Sequence, residues 1–375
     1  MSRNLNLFLD REVTMANHEL ENFYKTICCC SVAEDLFGVI VGNGMDAKLE
    51  NLKGVFRTLV KAFPVVNTGD DEEDHQRQEV LKAINLFHEE AKQKIKDGSY
   101  GIRQSQSTAP KNAPEIKTKR YTYKVLGHIA EGDYCNVYRA EYLGANGMMS
   151  EGAIKSIINP NDNDLLETEV QVLNELNHVS LPHLVDTFKN KARQKSIVTS
   201  FIDGRDFTTI LKMDEFKEGV PESIALSMLD RCLNVLGYMH HNGWIHGNLE
   251  PANLIAVGRN HNVIPIDFIF SVKYVDGKPF VGRNIFSPPE VSKGENAHPS
   301  ADMFGLGMCF LYVTGGDIHR RVFSDKLNDV VKEFLGTFIE YDTDKRADDA
   351  WKALRRLIGI RSSLYPQREF IPHPF

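Results

Sequence analysis

One stretch past the middle of the chain limits what the rest can be: His246-Gly247-Asn248-Leu249-Glu250-Pro251-Ala252-Asn253, followed after the apolar run Val263 to Ile266 by Asp267. A long helical pattern delivers it. That pattern runs from about Pro221-Glu222-Ser223 to Met239, with proline near its start and Asn242-Gly243 just past its end, which is the punctuation a helix needs. The stretch gathers a histidine, two amides, an acid and, a short apolar strand later, a second acid. These are groups that bind cations and move protons.

The spacing resembles the catalytic loop and metal-binding Asp of the protein kinase superfamily, which reads H-R-D-L-x-x-x-N and then D-F-G. Gly247 stands at the Arg position and Asn248 at the position of the catalytic Asp. Upstream, Ala130-Glu131-Gly132-Asp133-Tyr134-Cys135-Asn136-Val137 resembles the family's Gly-rich loop, with only the middle glycine kept. Glycines there let backbone amides approach phosphates, and Cys135 adds bulk over that space. Gly152-Ala153-Ile154-Lys155 resembles the V-A-I-K strand, whose Lys contacts nucleotide phosphates.

The helix after that strand supplies its own argument. Leu165, Leu166, Val170, Val172, Leu173 and Leu176 share one arc at helical spacing, and Glu169 falls inside it, whereas Glu167 and Glu175 point away. An acid on an apolar face needs a cation, because burying it unpaired is costly. Lys155 is the expected partner. Asp164 followed by Glu167 approximates a capping box for this helix.

Other matches follow in the family's order. Ile197 to Gly204 resembles a core strand entering the hinge, with Thr199 as the small residue beside the adenine pocket and Ser200 next to it. Gly282 to Glu290 resembles the end of an activation segment, Ala301 to Gly307 a buried helix whose Asp302 braces the catalytic loop, and Arg346 the partner of Glu290. The resemblance covers Tyr121 to about Ile358. It implies ATP binding at Ala130, Gly132, Val137, Lys155, Glu169, Thr199, Ser200, Asn253 and Asp267, with Mg²⁺ on Asn253 and Asp267.

Asn248 has the shape of Asp but cannot take a proton. Glu250 stands where the family has a Lys at the γ-phosphate, and Arg283 where it has a Thr; the paired departures predict a Glu250–Arg283 ion pair. With H-G-N in place of H-R-D, the resemblance is to the pseudokinase domains of the Janus kinases. It implies a nucleotide-binding regulator or scaffold with little or no phosphoryl transfer, working through a protein partner. An active but atypical Ser/Thr protein kinase, a small-molecule phosphotransferase with an H-G-D loop, and an interaction module without nucleotide remain open.

The N-terminal third reads differently. Leu52, Val55, Phe56, Leu59 and Phe63 recur at helical spacing with Lys53, Arg57 and Lys61 on another face. The run Thr68 to Asp74 is expected to break the pattern, and Val80, Ile84, Phe87, Ala91 and Ile95 resume it: a helical hairpin. Its wording over Glu34 to Gly101 resembles a J domain, the module that stimulates Hsp70 proteins. Phe63-Pro64-Val65-Val66 stands where that family has His-Pro-Asp, so an Hsp70 partner is not expected. No element is predicted before about residue 30.

The predicted organisation is therefore an N-terminal segment (1–33), an all-α J-like domain (34–100), a linker (101–120), a β-rich small lobe (121–202) and a mainly helical lobe with a tail (203–375): an α+β, two-lobed kinase-like fold. A net charge of −7 gives no reason to expect nucleic-acid binding, and no apolar run is long enough to span a bilayer. The first residues lack a signal pattern and the six cysteines suit neither a disulfide framework nor a metal site, so a cytoplasmic location is expected.

Overall fold

The computed structural model describes residues 17–28, 30, 33–37, 40–63, 71–101, 107, 109–110, 112–144, 147–258, 261–277, 279, 284–366 and 374–375. Two compact units result: 1–106 with the short segments 147–149 and 177–179, and 107–146 with 150–176 and 180–375.

The first unit is helical. It contains α1 (Asn17–Cys28), α2 (Ala33–Phe37), α3 (Met45–Ala62) and α4 (Asp71–Lys96). The periodic residues identified in the sequence do form its core: Leu52 and Leu59 of α3 face Val80, Ile84, Phe87, Ala91 and Ile95 of α4, and Phe56 stacks on His88 with ring centroids 3.9 Å apart. Two expectations are corrected. Helix α1 occupies a segment where no element was predicted, and its Leu20, Phe23, Tyr24 and Ile27 join the same core at i, i+3, i+4, i+7 spacing, so a boundary at residue 33 would cut one hydrophobic cluster. The run Thr68 to Asp74, expected to break the pattern, lies partly inside a helix, since α4 begins at Asp71. The loop at Pro64 to Val66, Cys29 and residues 1–16 lie outside the described residues.

The second unit begins before the predicted start at Tyr121. Within the supposed linker, β1 (Glu115–Lys117) pairs antiparallel with β2 (Thr122–Glu131), and Ile116 packs beside Tyr123 and Tyr142. A short apolar residue between charges was enough to form an edge strand once a neighbour was available. The sheet continues through β3 (Cys135–Leu143), β4 (Met149–Ile157), β5 (Leu184–Lys189) and β6 (Lys195–Ser200), in the order β1-β2-β3-β4-β6-β5. Helix α5 (Asn163–Glu175) is inserted between β4 and β5. Its cap residue is Asp162, without a side-chain cap bond, so the predicted capping box at Asp164 does not form.

After β7 (Arg205–Asp206) and the short α6 (Phe207–Ile210), helices dominate: α7 (Glu222–His241), α8 (Pro289–Lys293), α9 (Pro299–Val313), α10 (Asp329–Gly336) and α11 (Ala350–Leu364). The largest core joins α7 (Met228, Leu229, Leu233, Leu236), α9 (Leu306, Phe310) and α10–α11 (Phe334, Leu357). α7 and α11 pack closely because residue 237 is glycine; a Cβ there would lie 2.1 Å from Trp351 Cδ1. Between α7 and α9 run β8 (Trp244–Ile245), the hairpin β9 (Leu254–Val257) with β10 (Asn262–Pro265), and β11 (Val272–Lys273). The predicted α+β arrangement, a small β-rich lobe followed by a mainly helical one, is what folds. No helix among the described residues is long and apolar enough to cross a membrane.

Candidate functional site

The loop His246 to Glu250 enters from β8 and leaves through a 3₁₀ turn, Pro251–Asn253, into β9. Its backbone is pinned from below. Asp302, 2 % exposed on α9, accepts from the His246 amide at 2.8 Å and the Gly247 amide at 2.9 Å, and lies 2.9 Å from His240 Nε2. Burial works against this carboxylate, but the bond and charge of His240, the charge of His246 and the Gly247 amide outweigh it and hold its pKa below the usual range. His246, fully buried, reaches the Ile266 carbonyl at 3.1 Å, and Ser271 Oγ donates to the His246 carbonyl.

Gly247 adopts φ = 74°, where a glycine is unstrained and a side chain is not. The opposite holds at Asp267, a non-glycine residue at φ = 68°, a conformation costing about 1–3 kcal/mol that persists only where the surroundings impose it.

They do so on both carboxylate oxygens. Lys155 Nζ from β4 binds Asp267 Oδ1, and Asn248 Nδ2 donates to Oδ2 at 2.8 Å. The same Lys155 ammonium is 2.6 Å from Oε2 of Glu169, which is 4 % exposed on α5. Burial opposes the charge on Lys155, but Asp267 and Glu169 outweigh it and raise its pKa. Burial, with the like charge of Asp267, leaves Glu169 above its ordinary value despite Lys155. The other two glutamates of α5 turn elsewhere: Glu167 to Lys195, Glu175 to Lys273 and Trp244. Asn253 joins the cluster by donating Nδ2 to the Asn248 carbonyl at 3.0 Å, while its own carbonyl accepts from Ile266.

The loop between β2 and β3 is closed on itself. Ala130 pairs with Val137, and the Gly132 amide donates to the Cys135 carbonyl at 2.9 Å. Cys135 is 5 % exposed among Ile157, Leu166, Ile197 and Ile269, and burial pushes its thiol up to about 12. Tyr134 meets Phe270 edge-on at 5.8 Å. At the end of β6, Thr199 pairs with Ala153, and Ser200 exchanges two bonds with His183, its amide donating to the carbonyl and its hydroxyl accepting from the amide. Of the ten singled-out positions, Lys155, Glu169, Asp267, Asn248 and Asn253 are linked by side-chain bonds; Ala130, Gly132, Val137, Thr199 and Ser200 belong to the strands and turn of the small lobe.

The expected Glu250–Arg283 pair falls on Arg283, which lies outside the described residues; the Glu250 carboxylate accepts from Asn284 Nδ2 at 2.7 Å, which ties this loop to the segment before α8. Sequence reading missed Asn284, and nothing about an exposed asparagine marks it. A small cleft, open to solvent, lies beside this tie, lined by Gly247, Asn248, Leu249, Phe286, Ser287 and Gly305 among others. Farther along, Glu290 of α8 and Arg346 form a buried bidentate pair, and Arg346 Nε adds the Glu340 carbonyl at 2.7 Å.

The sequence pattern of the protein kinase domain matches residues 123–357, more than half of the chain. The chain belongs to the protein kinase family. It is 29 % identical over 199 residues to the serine/threonine-protein kinase TIO of Arabidopsis thaliana, covering 51 % of this chain and 14 % of that protein. It is 24 % identical to mouse cyclin-dependent kinase-like 4, covering 52 % and 57 %. To the calcium/calmodulin-dependent protein kinase type I of Schizosaccharomyces pombe it is 23 % identical, covering 61 % and 77 %. The chain thus spans between about a seventh and somewhat over half of the length of the first two relatives.

Proposed function

We propose that this protein binds an adenine nucleotide at the Lys155–Glu169–Asp267 cluster and acts as a pseudokinase, a regulator or scaffold for a protein partner with little or no phosphoryl transfer. The observation that carries the reading is the Asn248 bond to Asp267. A carboxylate only accepts, so the amide must present its NH₂ there; residue 248 is a donor where phosphoryl transfer needs a proton acceptor. A positioned base is worth about 10²–10⁴ in rate. The ability to hold phosphate oxygens rests on Lys155, a charged ammonium kept in place by Glu169.

The donor set also fits Mg²⁺, which takes hard oxygen ligands and keeps most of its waters. Asp267 retains lone pairs on both oxygens, and Asn253, with its NH₂ engaged, has its side-chain carbonyl to offer. When bound, the ion would neutralise phosphate charge; this chain's part is to fix Asp267 and Asn253 through Lys155, Asn248 and the Ile266 amide.

The test has two stages. Mg-ATP at about 100 times its dissociation constant should stabilise the fold by about 2.7 kcal/mol, a visible thermal shift. Single-turnover transfer should then be slow in the wild type and rise in Asn248→Asp by up to about 10²–10⁴. Wild-type transfer near 1 per second, the low end for kinases, refutes the pseudokinase reading. Absence of any thermal shift leaves the second reading, an interaction module without nucleotide, which Cys135 favours as the bulkier residue at an outer position of the loop between β2 and β3. For the N-terminal unit we propose a J-like fold that has lost its activity, so Hsp70 ATPase stimulation should be absent.

A further inference from the structure

Two features of the site concern the far end of a bound nucleotide rather than its base. The first is charge. Lys155 is shared by Glu169 and Asp267, and a third carboxylate, Glu250, stands on the loop that addresses the terminal phosphate in phosphoryl transfer. Glu250 is half-buried and held by Asn284, and it lies near enough to Asp267 that burial and that like charge together raise its pKa. The second is the shortage of donors: the Gly132 amide, of the kind that cradles phosphates, is spent on Cys135.

We infer that this site selects nucleoside diphosphates over triphosphates, and that Glu250, fixed by Asn284, is the residue that sets the preference. The inference rests on the nucleotide-binding reading and goes beyond it. Each added phosphate brings negative charge toward a loop whose carboxylate, Glu250, has an amide and no cation as its partner among the described residues. The base, ribose and first phosphates can still use the small-lobe strands and Lys155. On this reading the terminal phosphate is the group that approaches Glu250, beside Asp267, and is repelled there. Asn284 matters because a free glutamate could swing into water, whereas this one is held at the loop.

The experiment is calorimetric titration of the full chain with ADP and with ATP, each with Mg²⁺, in the wild type, Glu250→Gln and Glu250→Lys. The expected result is ADP binding about tenfold or more tighter than ATP in the wild type, a difference of about 1.4 kcal/mol. The ratio should shrink in Glu250→Gln and reach parity or invert in Glu250→Lys. Should the lysine variant not fold, the glutamine variant, nearly identical in shape, still decides the matter. Equal or tighter ATP binding by the wild type overturns the inference. So does a strong ADP preference that neither variant changes. Failure of both nucleotides to bind, in every variant that melts cooperatively, overturns the nucleotide-binding reading itself and this inference with it.

Discussion

Two ion-pair clusters in the kinase-like unit are built from the same chemistry and differ in how they are finished. Glu290 and Arg346 meet two bonds to two, with side chains 8 % and 0 % exposed, and the remaining guanidinium donors go to backbone carbonyls. The Lys155 cluster has one ammonium for two carboxylates, with Lys155 13 % and Asp267 23 % exposed. The first is saturated and sealed. The second can exchange partners, because a lysine's three donors are not locked in a plane and phosphate oxygens can replace either carboxylate. A saturated pair serves the fold; an unsaturated one can still receive a ligand.

Breaking the sealed pair should have the largest effect. Arg346→Ala leaves Glu290 buried without its cation, and removal of one partner of a buried pair costs about 3–5 kcal/mol. Denaturant unfolding of the variant should show that loss. A change below about 1 kcal/mol, the range of exposed pairs, would erase the contrast.

Lys155→Met sharpens the comparison from the other side. Glu169 and Asp267 then face each other without a cation, but Glu169, already raised by burial, can take a proton. The unliganded protein should lose about 1–3 kcal/mol, less than Arg346→Ala, as expected for a lost charged hydrogen bond. The thermal shift with nucleotide should vanish. A variant that keeps the shift would show that Lys155 does not hold phosphate.

The Lys155–Glu169 pair was legible in the sequence because it followed from a local rule: an acid on the apolar arc of a helix demands a cation. Asp302 and Arg346 were legible through their order along the chain. Helix α1 was written in plain spacing at Leu20, Phe23, Tyr24 and Ile27, but the flanking polar residues hid it. The strand Glu115–Lys117 is too short to carry a period of its own and exists through its pairing with β2. The Glu250–Asn284 tie was not legible at all. It joins residues far apart in sequence through one amide, and asparagine on a loop has many possible partners.

The smallest effect separates the loop's footing from its reacting edge by pH. His246 is fully buried beside Phe268, with ring centroids 4.9 Å apart, and burial lowers its pKa; Lys155 lowers it further, while Asp302, Asp267 and the Ile266 carbonyl act the other way. The unfolded chain therefore takes up this proton first as pH falls, which favours unfolding. Stability should decline below about pH 6.5 by up to about 1.4 kcal/mol per pH unit and level off once the native pKa is passed. His88 and His261 are also lowered by burial, so the wild-type slope sums several groups, and His246→Asn isolates one of them. Unfolding free energies at pH 7 and pH 5.5 should converge between wild type and variant. Parallel loss in both would mean that His246 titrates alike in the folded and unfolded chain.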